Sequence, residues 1–198
     1  FFYINLSALF VILFSQNLLK LRLFTLMSSI LIIIIISFIN PVAKERVFDH
    51  TLSGMNLTKE NKIQNNDDQS YIFTKGHHQI YTSAYKMFLN NKVLGVGMKN
   101  FRNVCSDPKY YVNGNDACST HPHNTYIQIL AETGIIGFLF LMFVLFYFFK
   151  YIYEHVRLRL KGKYYFNDFE ICILSGIAIY LWPFAPTLNV FNNWFNII

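Results

Sequence analysis

Thr120-His121-Pro122-His123-Asn124-Thr125-Tyr126 runs directly into an apolar segment that reaches Phe149, interrupted only by Gln128 and the step Ala131-Glu132-Thr133-Gly134. About 20 apolar residues cross the hydrocarbon core of a bilayer, so this segment reads as a membrane-spanning helix over residues 126–150. Asn124 or Thr125 can cap its first turn, and Lys150 marks its other end. Two imidazoles on either side of a proline therefore stand at the mouth of a spanning helix. Titratable groups at such a place point to function before structure.

Working outward, the rest of the chain has the same character. Of its 198 residues 54% are hydrophobic and only 14% charged, well below the roughly 25% charged residues of soluble domains. This is a membrane protein by composition, and we read it as the C-terminal part of a longer polytopic chain without a recognisable signal peptide. The net charge of +6 does not indicate nucleic acid. Part of the excess sits in two clusters beside apolar runs, Lys20 with Arg22, and Lys150, Arg157, Arg159, Lys161 with Lys163. Short basic loops next to spanning helices mark the cytoplasmic side.

That orientation organises the chain. Residues 1–40 are read as spanning helices, the first truncated, joined by a short cytoplasmic turn at 15–22. Residues 23–39 carry no charge and include isoleucine at each of 32–36; Asn40-Pro41 ends the run, because proline disfavours helix in the residue before it. Residues 41–125 form a large periplasmic loop, 151–168 a basic cytoplasmic loop, and 169–198 a further helix with the start of another around Asn192-Asn193-Trp194. Trp182 and Trp194 suit an interface. The fold expected is an all-α polytopic bundle with a multi-pass topology.

Within the outer loop, residues 58–70 are almost devoid of apolar side chains and read as a mobile connection. Ile80, Tyr81, Ala84, Tyr85, Met87 and Phe88 then recur at helical spacing. This amphipathic helix over 78–89 is expected to lie against the bilayer or against the spanning helices. Gly95-Val96-Gly97 makes a turn, and alone says nothing of nucleotides. Gly134 and Gly137 have the spacing that lets another helix approach closely. Cys105 and Cys118 are either free thiols or, in an oxidising compartment, a disulfide worth about 3 kcal/mol on the loop-closure model. Cys172 reads as packing.

The histidines admit several readings. His123 precedes a helix N-terminus, whose dipole attracts anions and disfavours imidazolium, so a neutral ring suited to general-base work is expected. His77 and His78 begin the amphipathic helix and could face His121 and His123, with Lys99, Arg102 and Lys109 supplying positive charge. Such a pocket at the lipid boundary fits a diphosphate on a lipid carrier. The alternatives are plain helix-end histidines, a zinc site that lacks a carboxylate or thiolate at ligand spacing, and a proton relay through Glu132, for which a structural hydrogen bond is the simpler role.

The string His121-Pro122-His123-Asn124-Thr125-Tyr126-Ile127-Gln128, followed by Ala131-Glu132-Thr133-Gly134-Ile135-Ile136-Gly137 and preceded by Gly95-Val96-Gly97 and Asn100-Phe101, resembles the O-antigen ligase and polymerase superfamily over roughly residues 20–198. The resemblance implies a bacterial inner-membrane glycosyltransferase with its active-site loop in the periplasm. It implies a metal-independent, cofactor-free, inverting transfer. A glycan leaves undecaprenyl diphosphate for a sugar hydroxyl on lipid A-core or on another glycan. The family's essential loop histidine falls on His123, with His121 as its support. Asn124 and Tyr126 join the substrate-binding set. An arginine that commonly opens the amphipathic helix is His77 here, so His77, His78 or Arg102 must contact the diphosphate. Polymerases and protein-glycosylating relatives share these motifs; a transporter or non-catalytic polytopic protein is the alternative from another class.

Overall fold

The computed structural model describes residues 2–15, 17, 19–40, 42, 45, 50–57, 71–112, 118–184 and 186–192. Among these it is helical, without strands. The expected loop at 58–70 and the helix expected to open near Trp194 lie outside the described residues. The helices are α1 (Phe2–Phe14), α2 (Leu19–Ile39), α3 (His50–Gly54), α4 (Lys75–Asn90), α5 (Phe101–Val104), α6 (Thr125–Arg159) and α7 (Asp168–Tyr180). They fall into two units, Phe1–Lys44 with Phe143–Trp182, and Glu45–Met142 with Pro183–Ile198.

In the first unit α1 packs on α2 and α7. Polar pairs pin these faces: Ser29 Oγ donates to Asn5 Oδ1 at 2.7 Å, and Ser7 meets Ser175 at 3.2 Å. Helix α2 starts at Leu19, so Lys20 and Arg22 belong to its first turn rather than to a turn before it. Leucines at 19, 21 and 23 favour helix, and long basic side chains can reach past apolar surface to water. Among the described residues two helices, α2 and α6, are long and apolar enough to cross a membrane. No residue of α2 is buried. In a water-soluble protein an apolar helix of 21 residues would be covered; its rise of about 1.5 Å per residue matches the hydrocarbon thickness.

Helix α7 begins with a capping box, Asn167 accepting from Glu170 N at 2.9 Å and Glu170 Oε2 accepting from Asn167 N at 2.8 Å. Asp168 gathers Ser15, Asn17 and Arg22. His155, buried on α6, donates to Phe14 O at 3.0 Å and accepts from Phe166 N at 3.1 Å. The α6 helix runs through to Arg159, so much of the stretch expected as a basic loop from 151 is helical.

The second unit has an apolar core of Ile80, Ala84, Met87, Phe101, Cys105, Tyr110 and Ala131. Each large side chain here contributes on the order of 1.5–3 kcal/mol by leaving water. Thr74 caps α4 and Asn91 ends it, the Asn91 N–H bonding Met87 O and Phe88 O. Ile80, Ala84 and Met87 of the α4 stripe thus face protein, including Ala131 of α6, while Tyr85 and Leu89 stay exposed. Cys105 and Cys118 are joined by a disulfide, with Cα atoms 5.2 Å apart; Cys172 is free and exposed.

The defining feature of this unit is a break in α6. Gly134 has φ 66° and ψ −159°, a region that essentially only glycine enters. The groups released by the break are taken up by the Gly95 turn: Val96 N and Gly97 N each donate at 3.0 Å to Ala131 O and Glu132 O, and Ile135 N donates to Lys92 O at 2.8 Å. A Cβ on Gly134 would press into Val93 and Gly95. The element that approaches Gly134 is therefore this turn, not a second helix. Gly137 has Thr133 of its own helix against it.

Gly134→Ala should lose about 1–3 kcal/mol from backbone strain alone, with more from the clash at Val93. Thermal unfolding of the detergent-solubilised full chain checks this. Gly176→Ala, where a methyl group meets open space, should unfold no earlier than wild type.

Candidate active site

The residues before α6 are fixed from two sides. Asn124 Oδ1 accepts from Tyr126 N at 3.0 Å and Ile127 N at 3.2 Å, capping the helix, while its Nδ2 donates to Pro183 O at 2.8 Å. The segment 186–190 is laced along them: Thr187 N donates to His123 O at 2.9 Å, and Thr125 Oγ1 meets Thr187 Oγ1 at 3.1 Å. Gln128 continues the lacing, its Nε2 donating to Asn189 Oδ1 at 2.8 Å and its Oε1 accepting from Val190 N at 3.1 Å. Held this way, His123 adopts φ 57°. Non-glycine residues seldom do so, and histidine does so more readily than most.

Three imidazoles converge here. The ring centroids of His121 and His123 are 4.1 Å apart, and those of His77 and His123 5.9 Å. His121 has both nitrogens engaged, Nε2 with Thr187 O at 3.2 Å and Nδ1 with Thr120 Oγ1 at 2.9 Å. A carbonyl can only accept, so Nε2 carries the proton and Nδ1 takes the threonine hydroxyl in the neutral ring. His77 Nδ1 meets Thr74 Oγ1 at 2.7 Å. His123 Nε2 holds the hydroxyl of Ser119 at 3.0 Å.

Burial lowers the pKa of all three rings below the ordinary imidazole value. For His123 the neighbouring His121 and His77 lower it further. For His121 the bond to Thr187 O and the charge of Glu132 oppose burial without overcoming it. Neutral imidazole at His123 agrees with the expectation from sequence, but its cause is desolvation and crowding by other rings.

His121 also borders a cavity of about 370 Å³, lined with Lys99, Arg102, Thr120, Leu188, Asn189 and Asn192. Among the described residues neither Lys99 nor Arg102 is in an ion pair. Thus the structure brings His77, His121 and His123 together, with Arg102 beside His121. It does not bring in His78, whose ring lies 5.1 Å from that of Tyr71. Asn124, expected to bind substrate, has its amide committed to backbone groups. Tyr126 is half-buried on the first turn of α6. Glu132 is buried and accepts from Phe101 N at 2.8 Å and Gln128 Nε2 at 2.9 Å, which makes it a brace and not a relay. Among the described residues no three His, Cys, Asp or Glu side chains converge as a metal site.

Ser119, Thr187 and Asn189 were not singled out by sequence. Residues 186–190, read from sequence within the helical stretch 169–198, are not helical.

Compared with known families, the chain matches the one described as O-antigen ligase over residues 2–142. The chain belongs to the O-antigen ligase family. The family comprises membrane glycosyltransferases of ligase and polymerase type, acting on lipid-linked glycans and polysaccharides. No curated protein matches the chain, and no solved structure does. The matched region takes in α1 and holds all three converging histidines, Glu132 and the break at Gly134. The 186–190 segment of this O-antigen ligase family member lies beyond it.

Glu132→Gln leaves the shape unchanged but turns an amide N–H toward one of two buried donors. A hydrogen bond to a charged group is worth about 1.5–3 kcal/mol, and this variant should lose stability of that order in thermal unfolding. An unchanged melting temperature would contradict the bracing role.

Proposed function

We propose that this chain carries the catalytic loop of an enzyme that moves a glycan from undecaprenyl diphosphate to a sugar hydroxyl. In this reading His123 is the general base and the loop lies on the periplasmic side of the inner membrane. The reading rests on one observation: the half-buried His123 ring, its pKa lowered, has the Ser119 hydroxyl at 3.0 Å and packs against His121, which borders a cavity lined by Lys99 and Arg102. An acceptor sugar hydroxyl taking the place of Ser119 would give its proton to His123 as its oxygen attacks the anomeric carbon. The bond to the diphosphate breaks on the opposite face, so the configuration inverts and the departing charge stays on phosphate.

His121 is a positioning residue, its ring locked between Thr120 and Thr187. The diphosphate is better served by Arg102 with Lys99 than by His77 or His78. Burial holds His77 neutral, whereas a guanidinium stays charged and can bond phosphate through two N–H groups at once. The chemistry needs no metal, since protonation and leaving-group charge are handled by side chains. Orientation is supported by the two basic clusters, which the contacts of Asp168 and His155 draw toward one end of the first unit. Transport through Glu132 is disfavoured, because both its oxygens are occupied.

His123→Ala in the full-length enzyme should reduce glycan transfer by roughly 100- to 10,000-fold, the range of a lost general base, with membrane expression retained. EDTA should leave the wild-type rate unchanged. Near-normal transfer in the variant removes the assignment, and a rate lost to EDTA and restored by zinc makes the histidines metal ligands instead.

Because the pKa of His123 is lowered in the fold, the ring stays unprotonated as pH falls through about 6.5. The acid limb of kcat/KM should therefore lie below that value. Stability should decline over the same interval, since the unfolded chain takes up protons there before the folded one does. An acid limb above 6.5 contradicts a neutral base.

A further inference from the structure

The turn that clasps α6 has a second face. Val93, Leu94 and Met98 are 58%, 70% and 68% exposed, large for apolar side chains in a turn held by hydrogen bonds on its inner side. They adjoin more of the same. Beyond the break, Ile136, Leu139 and Phe140 are 56%, 59% and 70% exposed and recur at the three- and four-residue spacing of one helix stripe. Val93 O accepts from Ile136 N at 3.5 Å, so the turn sits at the head of that stripe. The two apolar surfaces adjoin, and among the described residues of the second unit none covers either. Lys92, also exposed, flanks them.

We infer that Val93, Leu94 and Met98 form a wedge that enters the acyl region of the leaflet on the active-site side, at the level where α6 meets the bilayer. The occupant is lipid because the stripe it continues belongs to a helix that spans lipid. A lysine at the margin suits anionic headgroups. The inference rests on the reading of α6 as a span with the histidines outside. It adds the turn as a membrane contact distinct from α4, whose Ile80, Ala84 and Met87 are buried in the protein core.

The wedge also sets the height of the site. From Thr133 back to Thr125 the helix rises about 12 Å, against a headgroup layer roughly 5–8 Å thick on each side of the hydrocarbon. Upright or tilted, that places His123 at or just above the headgroups, where the diphosphate of a membrane-embedded polyprenol lies.

The test uses the full chain with its unpaired cysteines replaced. Single cysteines at Leu94→Cys, Leu139→Cys and Asn103→Cys carry an environment-sensitive fluorophore. The protein is reconstituted in phosphatidylethanolamine–phosphatidylglycerol vesicles. Nitroxide-bearing phospholipids should quench the probe at 94 as they quench the one at 139, with little effect from aqueous iodide, and iodide should quench at 103. Iodide quenching at 94 with lipid quenching at 139 overturns the wedge and leaves the span intact. Iodide quenching at 139 removes the span, and the wedge with it.

Discussion

The exchange of backbone hydrogen bonds between the break in α6 and the turn around Gly95 is the constraint on which the second unit depends. A helix interrupted near lipid exposes carbonyls and amides that nothing in hydrocarbon can satisfy, at a cost of several kcal/mol each. Here Val96, Gly97, Lys92 and Val93 take the place of the missing helical partners. Glycine at 95 and 134 is required because the backbones touch. The same contact fixes the turn, which carries Lys99 and leads to Asn100 and Phe101. Glu132, two residues before the break, then reaches across to the Phe101 amide and ties α5 and Arg102 to the helix that starts just after His123.

Seen this way, the site has two walls of different electrostatic character. On one, desolvation lowers the pKa of three imidazoles, and the neighbouring rings lower that of His123 further. On the other, Lys99 and Arg102 line an open cavity. In the proposed reading the base and the anion holder are kept apart by the width of His121. The replacement of an expected arginine by His77 is understandable in these terms: the residue there contributes to crowding around His123, while positive charge comes from a different element.

The 186–190 segment is the part that closes the arrangement. Proline at 183 and 186 keeps it out of a helix, and its own polar groups are spent on His121, His123, Asn124, Thr125 and Gln128. A left-handed His123 is sustainable because its carbonyl is held from this side. Such strained residues persist where surrounding structure over-determines them.

Much of this was legible in the chain itself. Periodicity and length gave α2, α4, α6 and the membrane character, because an apolar run of fixed rise has few ways to be solvated. The spacing of His121, His123, Glu132 and Gly134 gave the family, and proximity in sequence joined the first two. Helix ends were less legible: basic residues at 20, 22, 157 and 159 mark a membrane side but do not stop a helix. What only the tertiary structure decided is which distant groups share an environment. Nothing local turns His77 toward His123 and its neighbour His78 toward Tyr71; that follows from the phase of α4 once Ile80, Ala84 and Met87 are buried. Nor does sequence show that Gly134 receives a turn in place of a helix, or that Thr187 holds two histidines. Those depend on where freed backbone groups find partners, and a hydrogen bond between residues sixty positions apart leaves no periodic trace.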